Sequence, residues 1–160
     1  MQNLNPYAPP KSVVTDVGTD ESAPTIWNPS AAANWSLLFS PIFGATLQMM
    51  NWQALGEPEK ADSSKKWAIF SIIFFVLLTL SGFVFPEVEL VNALSRPLSL
   101  ALLFSWYFAS ARIQQRYVKE KFGQSYPRKG WLKPLLLAIV AVIGLIVVTG
   151  LIGFAMDAMQ

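Results

Sequence analysis

A chain of 160 residues that is 53% hydrophobic and 14% charged, with a formal net charge of +2, fits one small membrane-embedded bundle better than a soluble domain of that length. It contains no cysteine and no histidine, which excludes a disulfide framework, thiolate catalysis, thiolate–zinc or iron–sulfur ligation, and the commonest general base. So small a net charge makes no case for nucleic acid; where the charges lie matters more.

Residues 1–30 carry Pro6, Pro9, Pro10, Pro24 and Pro29 among Ser, Thr and Asp, with few large apolar groups. Such a composition cannot bury a core and reads as a disordered tail, with polyproline II character around Tyr7-Ala8-Pro9-Pro10. A flexible tail is preferred over a peptide docking site, because short proline pairs are common in linkers. The opening MQNLNPYAPPKSVV lacks a basic region and an apolar core, so no cleaved leader is expected and the apolar segments should insert by themselves.

From residue 22 to residue 56 no charge appears, yet Asn34, Ser36, Ser40, Thr46 and Gln48 dilute the apolar run and Pro41 interrupts it. Proline in mid-helix removes a hydrogen bond and favours a kink, which membrane helices tolerate. Trp27, Trp35 and Trp52 bracket the segment as interfacial aromatics do. The segment Ala31–Met50 reads as a kinked spanning helix, with a re-entrant or surface-lying helix as the alternative. A polar loop, 57–66, follows.

Trp67 to Pro86 is a run of 20 residues without charge, and Pro134 to Met156 a run of 23. At the helical rise these reach roughly 30 and 34 Å, enough to cross a hydrocarbon core. Lipid offers backbone groups no partner, so both must be helices. Between them, Pro97–Ala111 is uncharged over 15 residues, and taken back to Leu90 the stretch holds Arg96. Pro97 suits a first helical turn, and Arg96 can snorkel to the near interface and pair with Glu87 or Glu89. This helix should run on as a polar helix to about Lys121 and stop at Gly123, where glycine accepts a left-handed cap. The fold class expected is therefore all-α: a membrane bundle of about four helices, with spans near 31–52, 67–86, 91–112 and 134–156. Three spans plus one re-entrant or interfacial helix is the alternative.

Basic residues orient such a bundle, because cytoplasmic loops retain them. The loops 57–66 and 112–133 hold ten, against two (Lys11 and Arg96) elsewhere. Those loops are expected in the cytoplasm and the C-terminus in the periplasm; the side of the N-terminus follows the path of 31–50. Within the longer loop, Arg112, Arg116, Lys119, Lys121, Arg128, Lys129 and Lys133 are candidate contacts for anionic lipid, although fixing orientation is the simpler role. Tyr117, Phe122, Tyr126 and Trp131 read as interfacial anchors, so no nucleic-acid partner is expected.

Ala101, Ser105 and Ala109 recur at spacing four, and Ala138, Ala141 and Gly144 form a second small-residue stripe. Small stripes permit close helix approach, within one chain or in a homo-oligomer. No span carries an Asp or Glu, which disfavours proton-coupled transport. No phosphate loop, dinucleotide fingerprint or zinc-protease motif occurs, and no base stands beside any serine. The sequence points away from an enzyme and implies no cofactor or metal.

The tail NPYAPP is similar to the openings of many small bacterial inner-membrane proteins. WNPSAAANWSLLFSPIFGATLQMMNWQALG and RYVKEKFGQSYPRKGWLKPL resemble an uncharacterised family of multi-span inner-membrane proteins. The resemblance implies a multi-span protein of that membrane with no catalytic residues to carry over. The function expected is protein–protein interaction in the membrane, as an accessory or regulatory subunit or as an immunity protein against a membrane-targeting or periplasmic toxin. A homo-oligomeric channel or small-solute carrier is the alternative.

Overall fold

The computed structural model describes residues 23–159, so most of the proline-rich tail expected over 1–30 lies outside the described residues. Within them the chain is helical: α1 (Pro29–Ala54), α2 (Pro58–Val84), α3 (Glu89–Trp106), α4 (Arg112–Phe122) and α5 (Leu132–Asp157). A π-helical segment, Tyr107–Ala111, joins α3 to α4 without a break. No strand forms among the described residues, which hold one isolated parallel bridge between Ile26 and Arg128.

The first helix breaks more sharply than the kink expected at Pro41. At Ser40 the backbone turns to φ 80°, ψ 165°, and the two halves of α1 double back on each other. The cause is local. A residue before proline is pushed out of the right-handed helical region, while Pro41, lacking an N–H, is well placed to open a new helix. The result is a helical hairpin with arms Pro29–Phe39 and Pro41–Ala54, roughly 16 and 21 Å long.

Small residues let the arms meet. A Cβ added at Gly44 would collide with Ser36 Oγ and with the ring of Trp106, so the hairpin needs the bare backbone there. At the open end, Asn51 Oδ1 accepts from Trp27 N–H at 2.9 Å, and Asn51 Nδ2 donates to Trp27 O at 2.8 Å. In one continuous helix those residues would lie roughly 36 Å apart. Across the tip, the rings of Phe39 and Phe43 stack at 5.3 Å.

The loop expected over 57–66 is instead the start of α2, with Pro58 in its first turn and Ala61 and Ser64 buried. Likewise α3 starts at Glu89, so Pro97 lies inside the helix rather than in its first turn. Gly123 ends α4 as expected, at φ 60°, with its N–H donated to Lys119 O. Both arms of the hairpin pack against α2 and the α3–α4 helix around a core of Ala33, Ala45, Ala68, Leu103, Trp106 and Ala111. Serine hydroxyls on the helices turn back to their own carbonyls, Ser71 to Trp67 O and Ser81 to Leu78 O, both at 2.8 Å.

α2 and α5 are each long and apolar enough to cross a membrane; α5 is largely exposed, whereas α2 buries one face, Ala61, Ser64, Ala68 and Ser71, and exposes the other. α5 lies beside the hairpin along its first turns, and near its far end Gly153 approaches the ring of Phe83 on α2.

Two substitutions test the hairpin. The backbone at Ser40 lies in a region that essentially only glycine enters freely. Ser40→Gly should therefore stabilise the protein by about 1 kcal/mol through relief of that strain. Gly44→Val should cost about 1–3 kcal/mol by overpacking against Trp106. Thermal unfolding in mild detergent, followed by tryptophan fluorescence, reads both.

Candidate functional site

Four buried polar residues from two elements converge at the open end of the hairpin. Gln48 and Asn51 project from its second arm; Ser110 and Gln114 come from the π segment and α4. Ser110 Oγ donates to Gln48 Oε1 at 2.9 Å, Gln114 Nε2 to Gln48 O at 2.9 Å, and Asn51 Nδ2 to Gln114 Oε1 at 3.2 Å. The wider π turn accounts for this register. Steps of four residues drift around an α-helix of 3.6 residues per turn, and the extra width takes up that drift. Trp106, Ser110 and Gln114 thereby share one buried face toward the hairpin.

The network does not satisfy everything. Gln48 Nε2, Trp106 Nε1 and Ser64 Oγ are buried without a partner among the described residues. A buried group left unpaired costs about 1–3 kcal/mol. The crevice that Gln48, Trp106 and Gln114 line has no room for a water molecule. These are amides, an indole and hydroxyls, with no base or nucleophile among them, so the cluster can lock helices together and offers no acid–base chemistry. Among the described residues no three His, Cys, Asp or Glu side chains gather where a metal ion could be held.

A second cluster clamps the start of α2 to α4. Tyr117 donates its hydroxyl to Glu57 Oε1 at 2.7 Å, and Lys60 Nζ lies 3.1 Å from Glu57 Oε2. The same ammonium sits 4.4 Å from the Tyr117 ring and 5.0 Å from that of Trp52, which meets Tyr117 edge-on at 5.0 Å. The Tyr117 hydroxyl, and then Lys60, hold the Glu57 carboxyl below the usual carboxylate range.

The seven basic residues expected at a lipid surface lie at this same end of the fold but divide among three settings. Arg112, Arg116 and Lys119 line a polar hollow beside Ser30 and Gln124. Lys121 and Arg128 lie over aromatic rings, Tyr117 and Tyr126 among them. Lys129 sits over Trp27 at 4.3 Å, while Lys133 stands at the mouth of a groove of about 550 Å³ between the hairpin and α5. Arg96 is exposed and makes no ion pair among the described residues, so its expected pairing with Glu87 or Glu89 does not form.

The small stripes also divide. Ala101, Ser105 and Ala109 face outward, and the inward face of that helix is Leu102, Leu103, Trp106 and Ser110 instead. Ala138 and Ala141 face the hairpin across the groove, whereas Gly144 has open space about it. The amide cluster went unread in the sequence, although its signal was there: Gln48 and Asn51 at spacing three, Ser110 and Gln114 at spacing four, each on one helical face.

Gln114→Leu should destabilise the fold by about 1–3 kcal/mol, since it removes the bond to Gln48 O and takes one acceptor from Asn51; thermal unfolding in detergent measures this. The Glu57 clamp carries a pH signature. Its folded pKa is lowered, so its stabilisation is complete above the ordinary carboxylate value of 4.5 and is lost as pH falls below it. The unfolding midpoint should drop on acidification through that window, and Glu57→Gln should flatten the drop.

No family model, no curated protein and no solved structure matches this chain, so a function must be argued from the geometry above.

Proposed function

We propose that this chain is an integral membrane protein of the bacterial inner membrane that acts by contact with another membrane component rather than by catalysis. The observation that carries the reading is the exposure of α5: it is the most apolar helix of the protein, and no residue from Leu135 to Met156 is buried within the fold. An exposed apolar face of that size belongs in lipid or against a partner. In this reading α2, the α3–α4 helix and α5 cross the bilayer, and the α1 hairpin dips from one side and returns.

Several features support the hairpin's place. Its tip is apolar and open, with Leu37 66% and Leu38 71% exposed. Its arms are about half as long as a hydrocarbon core of about 30 Å is thick. The basic residues collect where the hairpin begins and ends, which by the charge rule is the cytoplasmic side. The N-terminal end of α1 then lies in the cytoplasm and the C-terminus in the periplasm. The outward stripe Ala101, Ser105 and Ala109 is available to a neighbouring helix. An accessory subunit is the broad form of the proposal, and an immunity protein against a membrane-targeting or periplasmic toxin a narrower one. The channel reading has less support, because the polar interior of one copy leaves no water-sized path through the amide cluster.

The chain has no cysteine, so single cysteines report sidedness cleanly. Thr25→Cys, Ser63→Cys and Ser125→Cys should all be shielded from an impermeant maleimide in intact cells, whereas Glu87→Cys should react. Labelling of Thr25→Cys from outside would make the hairpin a crossing and sink this topology. For the interaction itself, crosslinking and affinity purification from native membranes should return a stoichiometric heterologous membrane protein; recovery of self-crosslinks alone would overturn the subunit reading.

A further inference from the structure

We propose that the groove between the second arm of the hairpin and α5 holds one hydrocarbon chain of an anionic membrane lipid, with its phosphate head at Lys133 and Lys129. The inference rests on the membrane reading above and deepens it by naming a ligand class.

The groove exists because α5 is tied to the hairpin at one end. Ile26 N–H donates to Pro127 O at 3.2 Å, Lys129 N–H to Ile26 O at 2.9 Å, and the Trp27 indole to Gly130 O at 3.1 Å. Trp27 is in turn held by Asn51. Beyond that tether, α5 presents Ala138 and Ala141 toward Phe43 and Leu47, and side chains so small do not fill the gap. From Pro134 to Leu145 the groove runs roughly 17 Å, close to half of a hydrocarbon core of about 30 Å. It is one leaflet deep.

A volume of about 550 Å³ spread over that length gives room for one hydrocarbon chain. The wall is dry: Thr46 turns its hydroxyl to Ile42 O at 2.7 Å, and no charged side chain lines the groove below the mouth. At the mouth, Lys133 is exposed and has no ion pair among the described residues, and Lys129 is steadied over the Trp27 ring. An apolar slot of one-leaflet depth with cations at the interfacial end is complementary to an anionic lipid of that leaflet. A diacyl phospholipid and a polyprenyl phosphate share that chemistry.

The full chain, purified in mild detergent, would be titrated with phosphatidylglycerol, with phosphatidylcholine of the same acyl chains, and with a polyprenyl phosphate, and examined by native mass spectrometry. A single-lipid adduct is expected, favouring the anionic over the zwitterionic diacyl lipid by about thirtyfold, as two interfacial lysines at about 1 kcal/mol each allow. Ala141→Phe, on an exposed helix face, should remove the adduct of every lipid, and Leu47→Trp should do so from the opposite wall. Lys133→Gln with Lys129→Gln should abolish the preference and leave an adduct. Preference for the polyprenyl phosphate over phosphatidylglycerol would keep the site and name that source. Adducts unchanged in both filling variants, or a preference unchanged without the lysines, would overturn the proposal, as would a second copy of the chain bound in the lipid's place. Carbonate extraction of native membranes separates the two readings. Protein washed from the membrane sinks both, whereas retained protein without a lipid adduct sinks the groove alone.

Discussion

The carboxamide of Asn51 grips both backbone groups of Trp27, and the rest of the arrangement depends on that pair of hydrogen bonds. It closes the hairpin whose turn Ser40 and Pro41 begin, and so keeps the beginning and end of α1 together. Trp27, once held, reaches Gly130 and keeps the start of α5 beside the hairpin. Asn51 also donates to Gln114, which carries the same constraint into α4. One neutral side chain thus positions three segments far apart in sequence.

Neutral amides suit this task in a bilayer. Between helices in lipid the burial of apolar surface drives little association, since lipid tails are as apolar as leucine, so packing of small residues and interhelical hydrogen bonds decide. Here the small residues are Ala33, Ser36, Gly44 and Ala45, closed against the flat ring of Trp106. The hydrogen bonds come from Gln48, Asn51, Ser110 and Gln114, all uncharged, as the proposed place in lipid would require. The unpaired Gln48 Nε2 and Trp106 Nε1 mark where this economy is incomplete. Charged and aromatic groups do the equivalent work at the rim, where water remains: Glu57, Lys60, Trp52 and Tyr117 form one clamp.

Much of this was legible in the residues. Long uncharged runs identified α2 and α5, Gly123 marked the end of α4, and the concentration of Lys and Arg marked one end of the bundle. The α1 segment was legible as unusual and no further. Pro41 signals a break in a helix, but a kink and a reversal differ by the backbone angles of one residue, Ser40, and serine carries no preference for the positive φ it adopts. The small-residue stripe Ala101, Ser105 and Ala109 was legible as a packing surface, within one chain or between copies, but its spacing could not say that it lies on the outward face.

The sequence by itself determined that this chain is helical and that two of its helices are apolar enough to cross a bilayer, because the absence of charge over a span's length is a property of consecutive residues. It also determined the asymmetry of charge. Only the tertiary structure decided that α1 folds back, that Gln48, Asn51, Ser110 and Gln114 form one cluster, and that an apolar groove opens beside α5. Those features arise from pairs far apart in the chain, such as Asn51 with Gln114 and Ile26 with Arg128, and the energy of such a pair exists only once the helices between them have packed.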